Sequence, residues 1–204
     1  MAYEFALLKI GLESWLNMIF ICFRKIEEIW FSVALNEKKE VLSTGLSSGS
    51  GKKCVQTVLK NVPSHMEVQA GNGSAINVIE TLHKLLLGYE SRLKHKLDLS
   101  QTSQFKRKVY SVVGSIPKGF VSTYGAVARL AGLGKSYRAI GSALASNPFI
   151  LLVPCHRVVN SNLEVGQYSL GVEMKRKILV REGVKFDGRR VSPESLWNPR
   201  LQTS

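Results

Sequence analysis

Hydrophobic and polar positions change rhythm twice along the chain. In 15-WLNMIFICF-23 large apolar residues run together, which predicts a buried strand. The runs 28-EIWFSVAL-35 and 41-VLSTGL-46 flank the polar 36-NEKKE-40, the pattern of a hairpin. A helical rhythm takes over in 74-SAINVIETLHKLLLG-88. There Ser74 caps the start, Ile76, Ile79, Leu82 and Leu86 share a face, and Gly88 supplies a left-handed stop. The segment 89-YESRLKHKLDLSQTSQ-104 is polar and charged, so a domain boundary is placed near residue 98, giving an N-terminal domain over 1–97 and a C-terminal one over 98–204. A further helix, 105-FKRKVYSVVGSI-116, sets Phe105, Val109, Val112 and Val113 on one side and carries the basic flank Lys106, Arg107 and Lys108. Pro117 and Gly119 end it.

The stretch 122-STYGAVARLAGLGKSYRAIGSALASNP-148 reads as a Ser/Thr start, a helix of about eight residues, a Gly-containing turn and a second helix. That spacing fits a helix-turn-helix. In the second helix Ile140 and Leu144 face a core, while Ala139, Gly141, Ser142, Ala143, Ala145 and Ser146 are small. Small residues let a backbone approach another surface closely. Two readings stand: tight helix-to-helix packing, or insertion into a DNA groove with Arg138 at the start of the helix aimed at phosphates or the base stack. Residues 149–153 suit a short buried strand, which Pro154 ends because it lacks an N–H. Cys155 then begins a turn carrying His156 and Arg157, a neighbourhood that suits a reactive thiol. A free cysteine is more often just a small buried apolar residue. Adjacent residues rarely ligate one metal ion, and no spacing here identifies a protease's separate His and orienting group.

Composition narrows the setting. With 28 Lys+Arg against 15 Asp+Glu, the 204-residue chain carries +13 and a pI near 9.8, which favours a polyanionic partner. Its three widely spaced cysteines, Cys22, Cys54 and Cys155, offer neither a disulfide framework nor a zinc ribbon, so a reducing intracellular compartment is expected. The early apolar run fails as a signal peptide, because Glu4 and Glu13 precede it and no small-residue cleavage site follows. It is also about half the ~20 residues a bilayer span needs, so no membrane association is expected.

One set of motifs goes further. The string 153-VPCHRVV-159 resembles the PCHRV signature of the 6-O-alkylguanine-DNA alkyltransferases, also called methylated-DNA–protein-cysteine methyltransferases. Upstream, 116-IPKGFVSTYGAVARLAG-132 resembles the IPxGxxxTYGxxAxxxG segment that opens the family's helix-turn-helix, and 138-RAIGSALASNP-148 its RAVGxAxxxNP recognition helix. Downstream, 166-GQYSLG-171 resembles the GxYxGG active-site loop and 182-EGV-184 the terminal glutamate motif. These motifs lie in family order over about residues 95 to 187. The resemblance implies an α/β fold: a strand-rich, ribonuclease-H-like N-terminal domain, then a helical DNA-binding domain with the helix-turn-helix.

It also implies roles. Cys155 would accept the alkyl group from 6-O-alkylguanine, and from 4-O-alkylthymine, in a direct displacement that inactivates the protein. His156 would act through a water as base for the thiol, oriented by Glu182, so that the thiol shifts toward thiolate. Arg157 would tie the turn to nearby carbonyls or carboxylates. Tyr124 would donate to the guanine ring, and Arg138 would fill the hole left by the flipped nucleotide. Ser136, Tyr137, Ala139 and Gly141 would join it on DNA. Asn147 would brace the turn after the recognition helix, and with Pro154, Val158, Tyr168 and Ser169 would form the substrate pocket. Neither cofactor nor metal is implied. The expected partner is double-stranded DNA holding an alkylated guanine, met by a monomer in the cytoplasm or nucleoid, or in a nucleus. Leu170 departs from the family's paired glycines, which affects the room for bulky alkyl groups. Two alternatives are a lesion-binding relative that does not react, and a helix-turn-helix regulator with a redox-sensing Cys155. A helix of Ala, Gly and Ser gives the latter few base-edge donors.

Overall fold

The computed structural model describes residues 18–71 and 73–199. Two compact units divide them: the chain up to His83 together with Arg92–Leu99, and Lys84–Ser91 together with the chain from Ser100 on.

The first unit is built on a four-stranded sheet in the order β3-β2-β1-β4. Strand β1 (Met18–Ile26) turns through Glu27 and Glu28 into antiparallel β2 (Ile29–Asn36), with Ile26 opposite Ile29. The expected strand over 15–23 is thus present from Met18; its first three residues lie outside the described ones. Strand β3 (Val41–Ser47) returns antiparallel to β2 around Asn36–Glu40, as the polar run between two apolar ones predicts. Helix α1 (Gly51–Leu59) is capped by the Ser50 hydroxyl, which accepts from the Lys53 N–H. Strand β4 (Glu67–Ala70) pairs parallel to β1. Ile19, Ile21, Ala34, Leu42 and Val58 form the buried cluster between sheet and helix.

Helix α2 (Gly73–Leu86) starts one residue before the expected cap, so Ser74 lies inside its first turn. Ile76 is 36% exposed. The buried stripe is instead Ala75, Val78, Ile79, Leu82 and Leu86, a face rotated from the expected one. Gly88 ends the helix at φ 81°, with its N–H on Leu85 O and the Tyr89 N–H on Lys84 O. A side chain at 88 would collide with the Arg181 carbonyl.

In the second unit, α3 (Gln104–Gly114) is capped by Ser103 and ends before Ile116 rather than at Pro117. It buries Val109, Tyr110 and Val113. Strand β5 (Ser122–Thr123) leads directly into α4 (Tyr124–Leu130), whose first turn is capped by the Thr123 hydroxyl on the Ala126 N–H. Helix α5 (Tyr137–Ala145) follows. Strand β6 (Val158–Val159) lies parallel to β5, with Ser122 opposite Val158, which brings the start of α4 beside the Cys155 turn. Helix α6 (Val172–Arg181) precedes a small hairpin, β7 (Phe186–Asp187) and β8 (Arg190–Val191). Val121, Val159, Val165, Leu179, Val184 and Val191 close the core around this framework.

The expected strand over 149–153 is a tight turn. Leu151 adopts φ 69° and the Val153 N–H bonds Phe149 O at 2.9 Å. Phe149, Ile150, Leu151 and Val153 are all buried, so the apolar run reflects a turn packed inside the core rather than a ladder. Among the described residues no helix is long and apolar enough to cross a membrane.

Candidate active site

Cys155, His156 and Arg157 form a single 3-10 turn behind Pro154, all within the second unit. On so short a turn, neighbouring side chains diverge. Cys155 lines a cavity of about 410 Å³ with Tyr124, Gly141, Leu144, Ala145, Gln167, Tyr168 and Ser169. His156 points away from it into the protein, where its Nε2 lies 3.0 Å from Glu182 Oε1. Arg157 reaches the same carboxylate, donating from Nε at 2.9 Å and from its terminal nitrogen at 2.7 Å, and also donates to Ile116 O at 2.7 Å.

Charge sets the protonation states. Burial alone would raise the Glu182 carboxyl, yet hydrogen bonds from His156 and Arg157, with the Arg157 charge, bring its pKa from 4.5 down to about 2. It is a carboxylate at neutral pH. His156 is 1% exposed, and burial depresses its pKa despite the Glu182 pairing, so its resting imidazole is neutral. With Nε2 donating to the carboxylate, Nδ1 is left with a lone pair, and that buried atom has no protein partner. Tyr168 crosses the imidazole edge-on, with ring centroids 6.4 Å apart.

The Cys155 sulfur departs from expectation. Burial raises the Cys155 pKa; the hydrogen bond from Asn147, the charge of Lys175 and local N–H groups oppose this but only in part. The resting group is a thiol, because desolvation outweighs everything arranged around it. Asn147 is the brace. Its Oδ1 accepts from the Phe149 N–H at 3.0 Å, while Nδ2 donates to Val153 O at 3.1 Å and approaches Cys155 Sγ at 3.4 Å. Tyr110 adds a second tie, from its hydroxyl to Ala143 O of α5 and edge-on to Phe149.

Of the residues expected in the pocket, Tyr168 and Ser169 line it. Asn147, Pro154 and Val158 do not: Asn147 holds the turn from behind, and Val158 is fully buried. Gly141, expected on DNA, lies in the cavity wall instead. Ser136, Tyr137, Arg138 and Ala139 sit at the start of α5, where Tyr137, Arg138 and Ala139 are exposed. Ser142, Ala145 and Ser146 are exposed too, so most of the small residues of α5 face outward while Ile140, Ala143 and Leu144 pack inward. Gly171, at φ 88°, opens α6 just after Leu170, and Leu170 is not in the cavity wall.

Lys175 escaped sequence reasoning. It is 1% exposed, donates to Val158 O at 2.7 Å, and its pKa falls to about 8 through burial, with the Cys155 charge acting the other way. The signal was present, since Lys175 shares a helical face with Ile178 and Leu179.

The turn thus sets a buried cysteine over a cavity, in front of a histidine–carboxylate–arginine cluster. The sequence profile described as "6-O-methylguanine DNA methyltransferase, DNA binding domain" matches residues 104–184. A Methylated-DNA--protein-cysteine methyltransferase from Methanothermobacter thermautotrophicus is 44% identical over 92 residues, 45% of this chain and 51% of that protein. One from Saccharolobus islandicus is 44% identical over 110 residues, 52% of this chain and 70% of that protein. The chain therefore spans about half the length of the first relative and more of the second. The crystal structure of O6-methylguanine-DNA methyltransferase from Pyrococcus kodakaraensis superposes with a TM-score of 0.64 at 28% identity, covering 82% of this chain and 100% of that one. The chain belongs to the methylated-DNA–protein-cysteine methyltransferase family.

Proposed function

We propose that this protein repairs double-stranded DNA by transferring the alkyl group of 6-O-alkylguanine, and of 4-O-alkylthymine, once to Cys155. The observation that carries the reading is the Cys155 thiol in the cavity wall, backed by a neutral His156 whose Nδ1 is buried without a protein partner. The thiol proton passes through a water to that nitrogen, and the resulting imidazolium is stabilised by Glu182. Sulfur forms a bond to the alkyl carbon as the carbon–oxygen bond breaks, its electron pair staying on the base. Tyr124 donates a hydrogen bond to the ring as it gains negative charge; burial raises this phenol's pKa, which keeps it a donor at neutral pH. The imidazolium then gives its proton up to water and the base anion takes one from water, so overall the thiol hydrogen is exchanged for the alkyl group and guanine is restored. A thioether does not hydrolyse under mild conditions, so each molecule acts once.

On the DNA side, α4 and α5 serve as a helix-turn-helix within a DNA-binding domain over 98–204. The outward small residues of α5 let its backbone approach a shallow groove, and exposed Arg138 fills the space left by the flipped base. The N-terminal sheet is read as the ribonuclease-H-like domain over 1–97, and the protein as a monomer located with the DNA. Cys155→Ser tests the chemistry. It should abolish transfer while leaving duplex affinity within a few fold, because an alcohol stays protonated at neutral pH and the DNA-facing surface is untouched. Retained transfer would remove Cys155 as acceptor.

A further inference from the structure

Beside the acceptor cavity lies a second one, of about 500 Å³, lined by Tyr124, Gly125, Tyr137, Asn160, Ser161 and Asn162. Tyr124 lines both cavities, so the two adjoin at this residue. Nothing in the transfer reaction uses the second. Tyr137, the first residue of α5, is 51% exposed, an unusual place for a large aromatic on a helix whose other outward residues, apart from Arg138, are small. The Arg138 guanidinium carbon stands 5.9 Å from the centre of its ring. The lining carries no Lys, Arg, Asp, Glu, His or Cys. A phosphate would find no cation in the lining itself, and a metal ion no charged, imidazole or thiolate ligand. Two phenol rings with two carboxamides and a hydroxyl between them offer flat faces and neutral donors and acceptors. Those are the features that hold a nucleobase: stacking on its face, hydrogen bonds along its edge.

We propose that this second cavity is a subsite for an unstacked nucleobase adjoining the lesion, with Tyr137 as its stacking platform. The inference rests on the reading that α5 meets duplex DNA and that Arg138 enters the base stack. A guanidinium taking a place in the stack disturbs a base next to it, and Tyr137 is the residue immediately before Arg138 in the chain. That base comes either from the neighbouring nucleotide of the damaged strand or from the partner left unpaired opposite the lesion.

The test compares the full chain with Tyr137→Leu and Tyr137→Phe on four duplexes holding one 6-O-methylguanine. One is complete; the others carry a tetrahydrofuran abasic residue at the 5′ neighbour, the 3′ neighbour or the opposite position. Affinity is read by fluorescence anisotropy and transfer by protein mass. On the complete duplex, Leu should weaken binding and slow transfer about tenfold relative to wild type, and Phe should restore most of both. Removing the base that occupies the subsite should bring the wild-type and Leu values together. The abasic position that does so identifies the source, and any general easing of base flipping cancels in the ratio. A wild-type to Leu ratio that is the same on all four duplexes, or near one on the complete duplex, would overturn the subsite. Absence of a mass increase in wild type would instead overturn the transfer reading, whatever the affinities show.

Discussion

Glu182→Gln removes one charge from a cluster in which a single carboxylate orients His156 and holds Arg157. The Glu182 side chain is 3% exposed and its pKa is depressed from 4.5 to about 2, so the cluster favours the ionised form by roughly 2.5 pH units. At 1.36 kcal/mol per unit this is about 3 kcal/mol of folding stability, within the range found when one partner of a buried pair is lost. The sign follows from the depressed value. The contribution is complete above pH 4.5, where the unfolded carboxyl is ionised, and is lost as pH falls through about 2. Urea unfolding of wild type and Glu182→Gln, followed by tryptophan fluorescence between pH 7 and pH 2, reads it directly. The stability gap should be about 3 kcal/mol at pH 7, hold to about pH 4.5, then close by ~1.4 kcal/mol per pH unit. A gap that is absent at pH 7, or unchanged at pH 2, would refute the assignment of Glu182 as the charged anchor of the turn.

Other substitutions separate the remaining roles. Arg138→Ala should slow transfer from duplex DNA about tenfold or more, ~1.4 kcal/mol of lost flipped-state stabilisation, while transfer from the free alkylated base hardly changes; equal losses on both would make Arg138 a support of the fold. Lys175→Met removes a positive charge that favours the Cys155 thiolate, so the pH–rate profile should move to higher pH with a several-fold slower rate at neutral pH. An unmoved profile would leave Lys175 only its structural bond to Val158 O. Affinity for undamaged duplex should be weakly sequence-dependent and fall steeply with salt, since phosphate contacts dominate; a flat response between low and moderate salt would count against that mode of binding.

How much of this was legible in the sequence depends on the range of the interaction. The β2–β3 hairpin and the Gly88 stop are local, set by a polar run between apolar ones and by one left-handed residue, and both could be read directly. The family resemblance named Cys155, His156 and Glu182, and the structure brings His156 and Glu182 into one cluster with Arg157 although Glu182 lies 26 residues beyond His156. The turn over 149–153 was misread because a buried turn and a buried strand share one apolar pattern; only the positive φ of Leu151 distinguishes them. The four residues of β4 are all exposed, so hydrophobicity gave no sign of a strand paired through its backbone. The direction of the Cys155 pKa was out of reach, since it depends on how completely distant segments exclude water from the sulfur.

The measurement that bears most directly on the central claim is the mass of the intact protein after incubation with duplex DNA carrying one 6-O-methylguanine, followed by peptide mapping. The account predicts a gain of a single methyl group, located on Cys155, in a yield that stops at one per molecule and is accompanied by restored guanine in the DNA. An unchanged mass with the lesion still bound, or a methyl group found on Cys22 or Cys54 instead, would contradict it.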